Sequence, residues 1–167
     1  KHQVEAGKLT AKDALSSAAE DLAWVQQNWI SDKAYCRIGA KPVLLVFGPQ
    51  YFDALQWKHL RKSMDAATQI LGLPHLTKAT GLDGPYGWPP VYGGKEISKN
   101  TWEGYIRDLG LRATMGEPTV AIAFPGFKDI YKEAGLHDSY GYIDDRSGKT
   151  LDDTLQLASE SKAAIIQ

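Results

Sequence analysis

Thr119-Val-Ala-Ile-Ala-Phe124-Pro-Gly-Phe-Lys-Asp129 decides how this chain is read. A short apolar and β-branched run follows Glu117-Pro118 and breaks at Pro125-Gly126. That is the pattern of a strand buried on both faces of a parallel sheet, ending at its C-terminal edge. In α/β folds the loops at that edge carry the chemistry. Here an aromatic, Phe127, and a carboxylate, Asp129, come directly after the break.

Working outward, the same alternation recurs. Thr10-Ala-Lys-Asp13 resembles a capping box with an acid in the Glu/Gln position. Leu15, Ala18, Leu22, Val25 and Trp29 then step by three and four, predicting a helix to about Ile30. Pro42-Val-Leu-Leu-Val-Phe47 predicts a buried strand ended by Gly48-Pro49. Trp57, Leu60, Met64, Ala67 and Leu71 predict a second helix, stopped by Gly72 and Pro74. His75–Ala79 is expected to be a short strand, followed by the turn-rich Gly81-Leu-Asp-Gly-Pro-Tyr-Gly-Trp88-Pro-Pro. Ser98 is the expected N-cap of a third helix with Trp102, Tyr105, Ile106, Leu109 and Ala113 inward. Gly104 and Gly110 cost that helix about 1 kcal/mol each, so it must lean on packing. A loop from Pro125 to Lys149 leads to an expected cap at Thr150-Leu-Asp-Asp153 and a last helix, then to an apolar strand at Ala163–Gln167.

Helices alternating with strands imply parallel pairing through crossover connections. The expected fold is α/β, a single domain over residues 1–167, forming part of a TIM-type (β/α)8 barrel with parallel strands and crossover helices. A complete barrel takes about 250 residues, and the chain has 167. It begins at Lys1 without a methionine, so it is expected to be processed or a piece of something longer. The alternative is a complete small doubly wound sheet.

Composition narrows the function. Hydrophobic residues make up 43% and charged residues 23%, an ordinary globular mixture. Nineteen basic against twenty acidic residues give a net charge of −1, with no basic stripe for nucleic acid. No apolar run approaches the roughly 20 residues of a membrane span. Cys36 stands alone, and the four histidines show no ligand spacing, so no metal and no cofactor are expected. Arg146-Ser-Gly-Lys-Thr150 lacks the first glycine of a phosphate loop at Ile143. The acidic pairs Asp144-Asp145 and Asp152-Asp153 do not have calcium-loop spacing, and Gly-x-Ser-x-Gly is absent.

What remains lies after the expected strands: Gln50 and Tyr51; Asp83, Tyr86 and Trp88; Phe127 and Asp129, with Arg146 further along the same connection. Rings beside carboxylates and amides suit a sugar, whose apolar face stacks while its hydroxyls take fixed donors and acceptors. Each residue also has a structural reading. Trp88 beside Pro89-Pro90 could pin a loop, Tyr86 could sit on a rim, and Asp83-Gly84 is an ordinary turn pair.

Four pieces carry a resemblance: Gly39-Ala-Lys-Pro-Val-Leu-Leu-Val-Phe47, Leu82-Asp-Gly-Pro-Tyr-Gly-Trp88, Ala123-Phe-Pro-Gly-Phe-Lys-Asp129 and Arg146-Ser-Gly148. In these the chain resembles glycoside hydrolase families 71 and 99, the α-1,3-glucanase and endo-α-mannosidase barrels, from about Tyr35 onward. The resemblance implies an oligosaccharide or polysaccharide partner. It implies that Trp88, Tyr86 and Phe127 line a sugar cleft, with Asp83, Asp129 and Arg146 bonding to hydroxyls or orienting neighbours, and that the location is secreted, periplasmic or in the secretory pathway. Gln50 joins these as a substrate-binding candidate by its place after the first expected strand. It also implies that the catalytic acids follow a strand of the kind begun at Ala163–Gln167. The 167 residues alone are then expected to be inactive, with the remainder of the barrel or a partner chain completing them. A glycoside hydrolase, a non-catalytic glycan-binding or scaffold domain, and a small doubly wound binding module remain the competing functions.

Overall fold

The computed structural model describes residues 2–167; Lys1 lies outside them. The chain divides into two compact units, residues 1–84 and 85–167.

In the first unit a short helix, α1 (His2–Glu5), precedes α2 (Ala11–Val25), which begins with the capping box read from the sequence. The Thr10 hydroxyl accepts the Asp13 N–H at 3.1 Å, and the Asp13 carboxylate accepts the Thr10 N–H at 3.4 Å. One π-helical turn, Gln26–Ile30, extends α2. Leu15, Ala18 and Leu22 pack on a core of Trp57, Leu60, Ile70 and Leu82, as the stripe predicts. Trp29 does not join them: it stands exposed with Trp24, their rings edge to face at 5.3 Å. The change of winding at the π turn ends the 3.6-residue phase on which the stripe depends.

Strand β1 (Arg37–Ile38) turns back antiparallel onto β2 (Lys41–Leu45). After the 3-10 turn Pro49–Tyr51, helix α3 (Ala54–Leu60) starts on an Asp53–Gln56 capping box and ends in a 3-10 turn at Arg61–Ser63. The expected run of this helix to Leu71 is overturned. Gln69–Gly72 is strand β3, parallel to β2 with Val43 opposite Gln69 and Leu45 opposite Leu71. Asp65 accepts the Ala67 N–H at 2.8 Å in a turn that breaks the helix, so the apolar spacing beyond Met64 is coincidental. Thr77–Thr80 is one helical turn, α4, in place of the expected strand; the Thr80 hydroxyl donates to the Leu76 carbonyl at 2.8 Å. Strand β2, helix α3 and strand β3 thus form a βαβ unit.

The chain passes into the second unit at β4 (Gly84–Pro85). Beyond β5 (Lys95–Glu96), α5 (Lys99–Thr114) buries Trp102, Ile106 and Leu109. At Gly110 an added Cβ would stand 3.2 Å from the Ser161 Cβ, a tight contact between α5 and the residue that ends α6 (Lys149–Glu160). Only Val120–Ala121 of the opening stretch is regular strand, β6. It pairs in parallel with β9 (Ile165–Ile166) and, through Val120, with Tyr86 on its other side. Between β6 and β9 runs α6 (Lys149–Glu160). Gly148, not Thr150, is its N-cap; the buried Thr150 hydroxyl donates to the Asp144 carbonyl at 2.7 Å. Thr154, also buried, ties the helix to the strand end by accepting the Phe124 N–H at 3.1 Å.

The expected loop 125–149 contains a hairpin, β7 (Phe127–Lys128) and β8 (Gly141–Ile143), paired antiparallel. Strand β5 joins it in parallel, with Lys95 opposite Gly141. These strands of two or three residues have no readable period. At Gly141 a Cβ would lie 2.6 Å from the Lys95 carbonyl, so the pairing needs glycine. The fold is mixed α/β with parallel βαβ units and antiparallel additions at β1 and β7, which corrects an all-parallel expectation. Neither unit contains a closed barrel among the described residues.

Candidate functional site

In the first unit Gln50 is exposed on the turn that follows β2, at the C-terminal end of the strand. The turn is pinned from below by the Trp57 indole N–H, which donates to the Pro49 carbonyl at 2.8 Å. Asp83 is at the opposite end, just before β4. Its carboxylate accepts the Ile70 N–H at 2.8 Å and the Arg61 guanidinium at 2.5 Å. In barrels the N-terminal end of the strands serves stability, and Asp83 holds β3 and the end of α3 together there. A cleft of about 360 Å³ beside Arg61, Met64 and Thr68 opens near this ion pair.

In the second unit Tyr86, Trp88, Phe127, Asp129 and Arg146 all follow β4 or β6, and the β5–β8 pairing joins those two connections. Tyr86 is 3% exposed, and burial with Tyr105 alongside pushes its phenol up to about 12. It is a core residue that carries the strand past Val120. Trp88 is 40% exposed, and its backbone N–H donates to the Tyr105 hydroxyl at 3.1 Å. Phe127 sits on β7, half-buried against the cluster of Ile97, Trp102, Ile122 and Phe124.

Asp129 is buried at the start of a loop and holds that loop shut. It accepts the Tyr140 N–H at 2.8 Å, the Ser139 hydroxyl at 3.1 Å and the Tyr131 N–H at 3.3 Å. Burial by itself would raise this carboxyl, but those three donors, with His137 nearby, hold it below the usual carboxylate range. A depressed folded-state pKa adds stability above the unfolded value and loses it as pH falls through the folded one. Below the ordinary carboxylate range, amides of residues 131–140 are therefore expected to exchange faster in the wild type. Asp129→Asn is expected to show that fast exchange already at neutral pH, and pH-independent protection in both proteins refutes the clamp.

Arg146 is committed to structure. Its guanidinium bonds Asp153 and donates to the Thr150 hydroxyl at 3.1 Å, 5.8 Å from the centre of the Trp102 ring. Lys99 adds a second cation on Asp153 at 2.7 Å. Lys99 first, then Arg146, hold that carboxyl below its usual range against burial. Arg146 and Ser147 both have left-handed backbones, φ 51° and 57°, in the turn into α6.

Sequence reasoning missed the rings of Tyr131, His137 and Tyr140, which meet on the loop that Asp129 closes. The Tyr-rich composition of 131–142 was the available signal, but their contact depends on a fold-back of ten residues. Among the described residues no helix is long and apolar enough to cross a membrane. Nor does any group of three or more His, Cys, Asp or Glu there suit a metal ion.

Parallel βαβ units with elaborated connections after the strands define a mixed α/β fold, and that fold is distantly like part of the glycoside hydrolase family 99 structures. The particular likeness is to the family 99 endo-α-mannosidase of Bacteroides thetaiotaomicron. In its complex with bis-tris-propane that enzyme superposes with a TM-score of 0.62 at 15% identity, over 91% of this chain and 51% of the enzyme's. A second structure of the enzyme gives 0.61 at 16% identity, over 91% and 48%. The chain thus spans about half the length of these structures. No protein-family model and no curated protein sequence matches it.

Proposed function

We propose that this chain is the glycan-holding part of a glycosidase-like barrel, binding α-linked oligosaccharides at the connections that follow its strands. The observation that carries this reading is Trp88, a partly exposed indole directly after β4, in a connection tied by β5 to that of β6. An indole face there suits the C–H face of a pyranose. The endo-α-mannosidase likeness supports an α-mannoside as the first ligand to try, and the sequence motifs keep family 71 α-glucans as the second.

Glycoside hydrolysis ordinarily takes two carboxylates about 5–9 Å apart, one of them an acid of raised pKa. Asp83 is paired with Arg61, and the Asp129 carboxyl is enclosed by three donors and held low. We therefore give both a positioning role. In this reading the catalytic pair belongs to the part of the barrel fold that the chain does not span. A non-catalytic glycan-binding domain is the second reading, favoured by the same commitment of Asp83 and Asp129.

Titration with α-linked mannobiose by calorimetry tests the proposal. Trp88→Ala is expected to weaken binding about five- to ten-fold, the worth of one ring contact, with an unaltered circular dichroism spectrum. Equal affinity in the variant, or its unfolding, would overturn the role of Trp88.

A further inference from the structure

The loop that Asp129 closes presents three rings in mutual contact: Tyr131 and His137 stacked at 4.4 Å, His137 and Tyr140 at 4.8 Å, Tyr131 and Tyr140 edge to face at 5.4 Å. They are not core. Tyr140 is 53% exposed, Tyr131 37%, and His137 is exposed as well. Exposed rings rarely stay ordered for the sake of burial, and here the backbone holds them. Both ends of the loop bond to one carboxylate, and the Gly94 N–H donates to the Tyr140 carbonyl at 3.0 Å. Beside Tyr140 lies a cleft of about 530 Å³ lined by Gly93, Gly94, Lys132, Asp138 and Ser139. Its Gly93-Gly94 wall carries no side chains of its own, and Lys132 and Asp138 offer an ammonium and a carboxylate.

We propose that Tyr131, His137 and Tyr140, with the cleft beside them, form a second sugar station that takes one pyranose of an α-linked glycan. The rings supply a stacking face, and Lys132 and Asp138 supply a donor and an acceptor for vicinal hydroxyls. A nucleotide would stack as well, but the cleft lining sets one ammonium, Lys132, against the Asp138 carboxylate and gives the phosphates no further cation. The rings are held in place before the ligand arrives, which lowers the entropic cost of binding. The proposal rests on the glycan reading for its ligand class, not for its location.

The test is proton NMR of the 167-residue chain titrated with α-linked mannobiose, following the imidazole signal assigned by His137→Gln. The His137 signal is expected to move saturably with sugar. Tyr140→Leu, which keeps bulk and removes the ring, is expected to weaken that response about five-fold. Trp88→Ala is expected to leave it in place. A His137 signal unmoved at saturating sugar, or a Tyr140→Leu response equal to wild type, overturns the station. The readouts separate the two sites: loss of calorimetric binding in Trp88→Ala with a silent His137 removes this station and keeps the first. A Trp88→Ala variant that binds like wild type while Tyr140→Leu loses the response removes the first and keeps this one.

Discussion

Trp102→Ala is expected to lower the stability of the second unit by about 3–5 kcal/mol, the usual cost of emptying a buried tryptophan site. Trp102 is 2% exposed, and its ring meets Phe124 edge to face at 6.0 Å, among Ile97, Ile106, Leu109 and Ile143. The substitution does more than leave a cavity. It removes the ring under the Arg146 guanidinium, so the Asp144–Gly148 turn loses one of its supports. A double-mutant cycle with Arg146→Ala separates the two effects. Its coupling is expected to be about 0.5–1 kcal/mol, as for a partly exposed cation over a ring. Urea unfolding followed by circular dichroism measures both. A loss below about 1 kcal/mol for Trp102→Ala contradicts a tightly packed cluster at this position.

Gly87→Ala is the second large effect expected. Gly87 lies between Tyr86 and Trp88, and its N–H donates to the Val120 carbonyl at 2.9 Å. A Cβ added there would be 2.5 Å from the Ile122 Cβ, 2.6 Å from its Cγ2 and 3.1 Å from a Leu109 methyl. One methyl group therefore has to push two strands apart, at a cost of about 1–3 kcal/mol or more. Because the nearest atom is itself a Cβ, Ile122→Ala in the same chain relieves the Cγ2 contact and rescues stability only in part. The displaced backbone carries Trp88, so mannobiose binding is expected to fall together with the thermal midpoint. A Gly87→Ala protein with wild-type stability would mean that the strand passes Ile122 at a greater distance than described.

These two sites show what could be read from the chain beforehand. The inward side of α5, including Trp102, follows from the 3.6-residue spacing of apolar side chains, which any packed helix must obey. The same holds for the first face of α2 and its Thr10–Asp13 cap. Gly87, by contrast, reads as one more turn glycine in a run of turn residues. Its requirement comes from Ile122, 35 positions away. The missed β3 has the same cause: Gln69–Gly72 is a strand because β2 offers it a ladder, while its side-chain spacing alone continues a helix. The hairpin β7–β8 is missed because its third strand, β5, comes from before α5.

The candidate site divides along the same line. The placement of Gln50 after β2 and of Phe127 and Asp129 after β6 was legible, since a buried run that stops at a paired Pro and Gly marks its own end. Trp88, by contrast, follows β4, a strand that the local pattern did not show. What each side chain does there was not. Asp83 turned out to lie at the other end of its strand, bonded to Arg61, and Tyr86 is enclosed. Arg146 is held by Asp153 and Trp102, and Asp129 is turned inward onto Tyr131, Ser139 and Tyr140.

Local pattern by itself determined that this chain alternates helices with buried strands and located α2, the start of α3, α5, α6, β2, β6 and β9, because hydrophobic period and caps act within a few residues. Only the tertiary structure decided which polar groups are spent on one another and which rings are left exposed. Hydrogen bonds and ion pairs such as Arg61–Asp83, Lys99–Asp153 and Tyr140–Asp129 are set by the approach of distant stretches of backbone, and no local spacing encodes it.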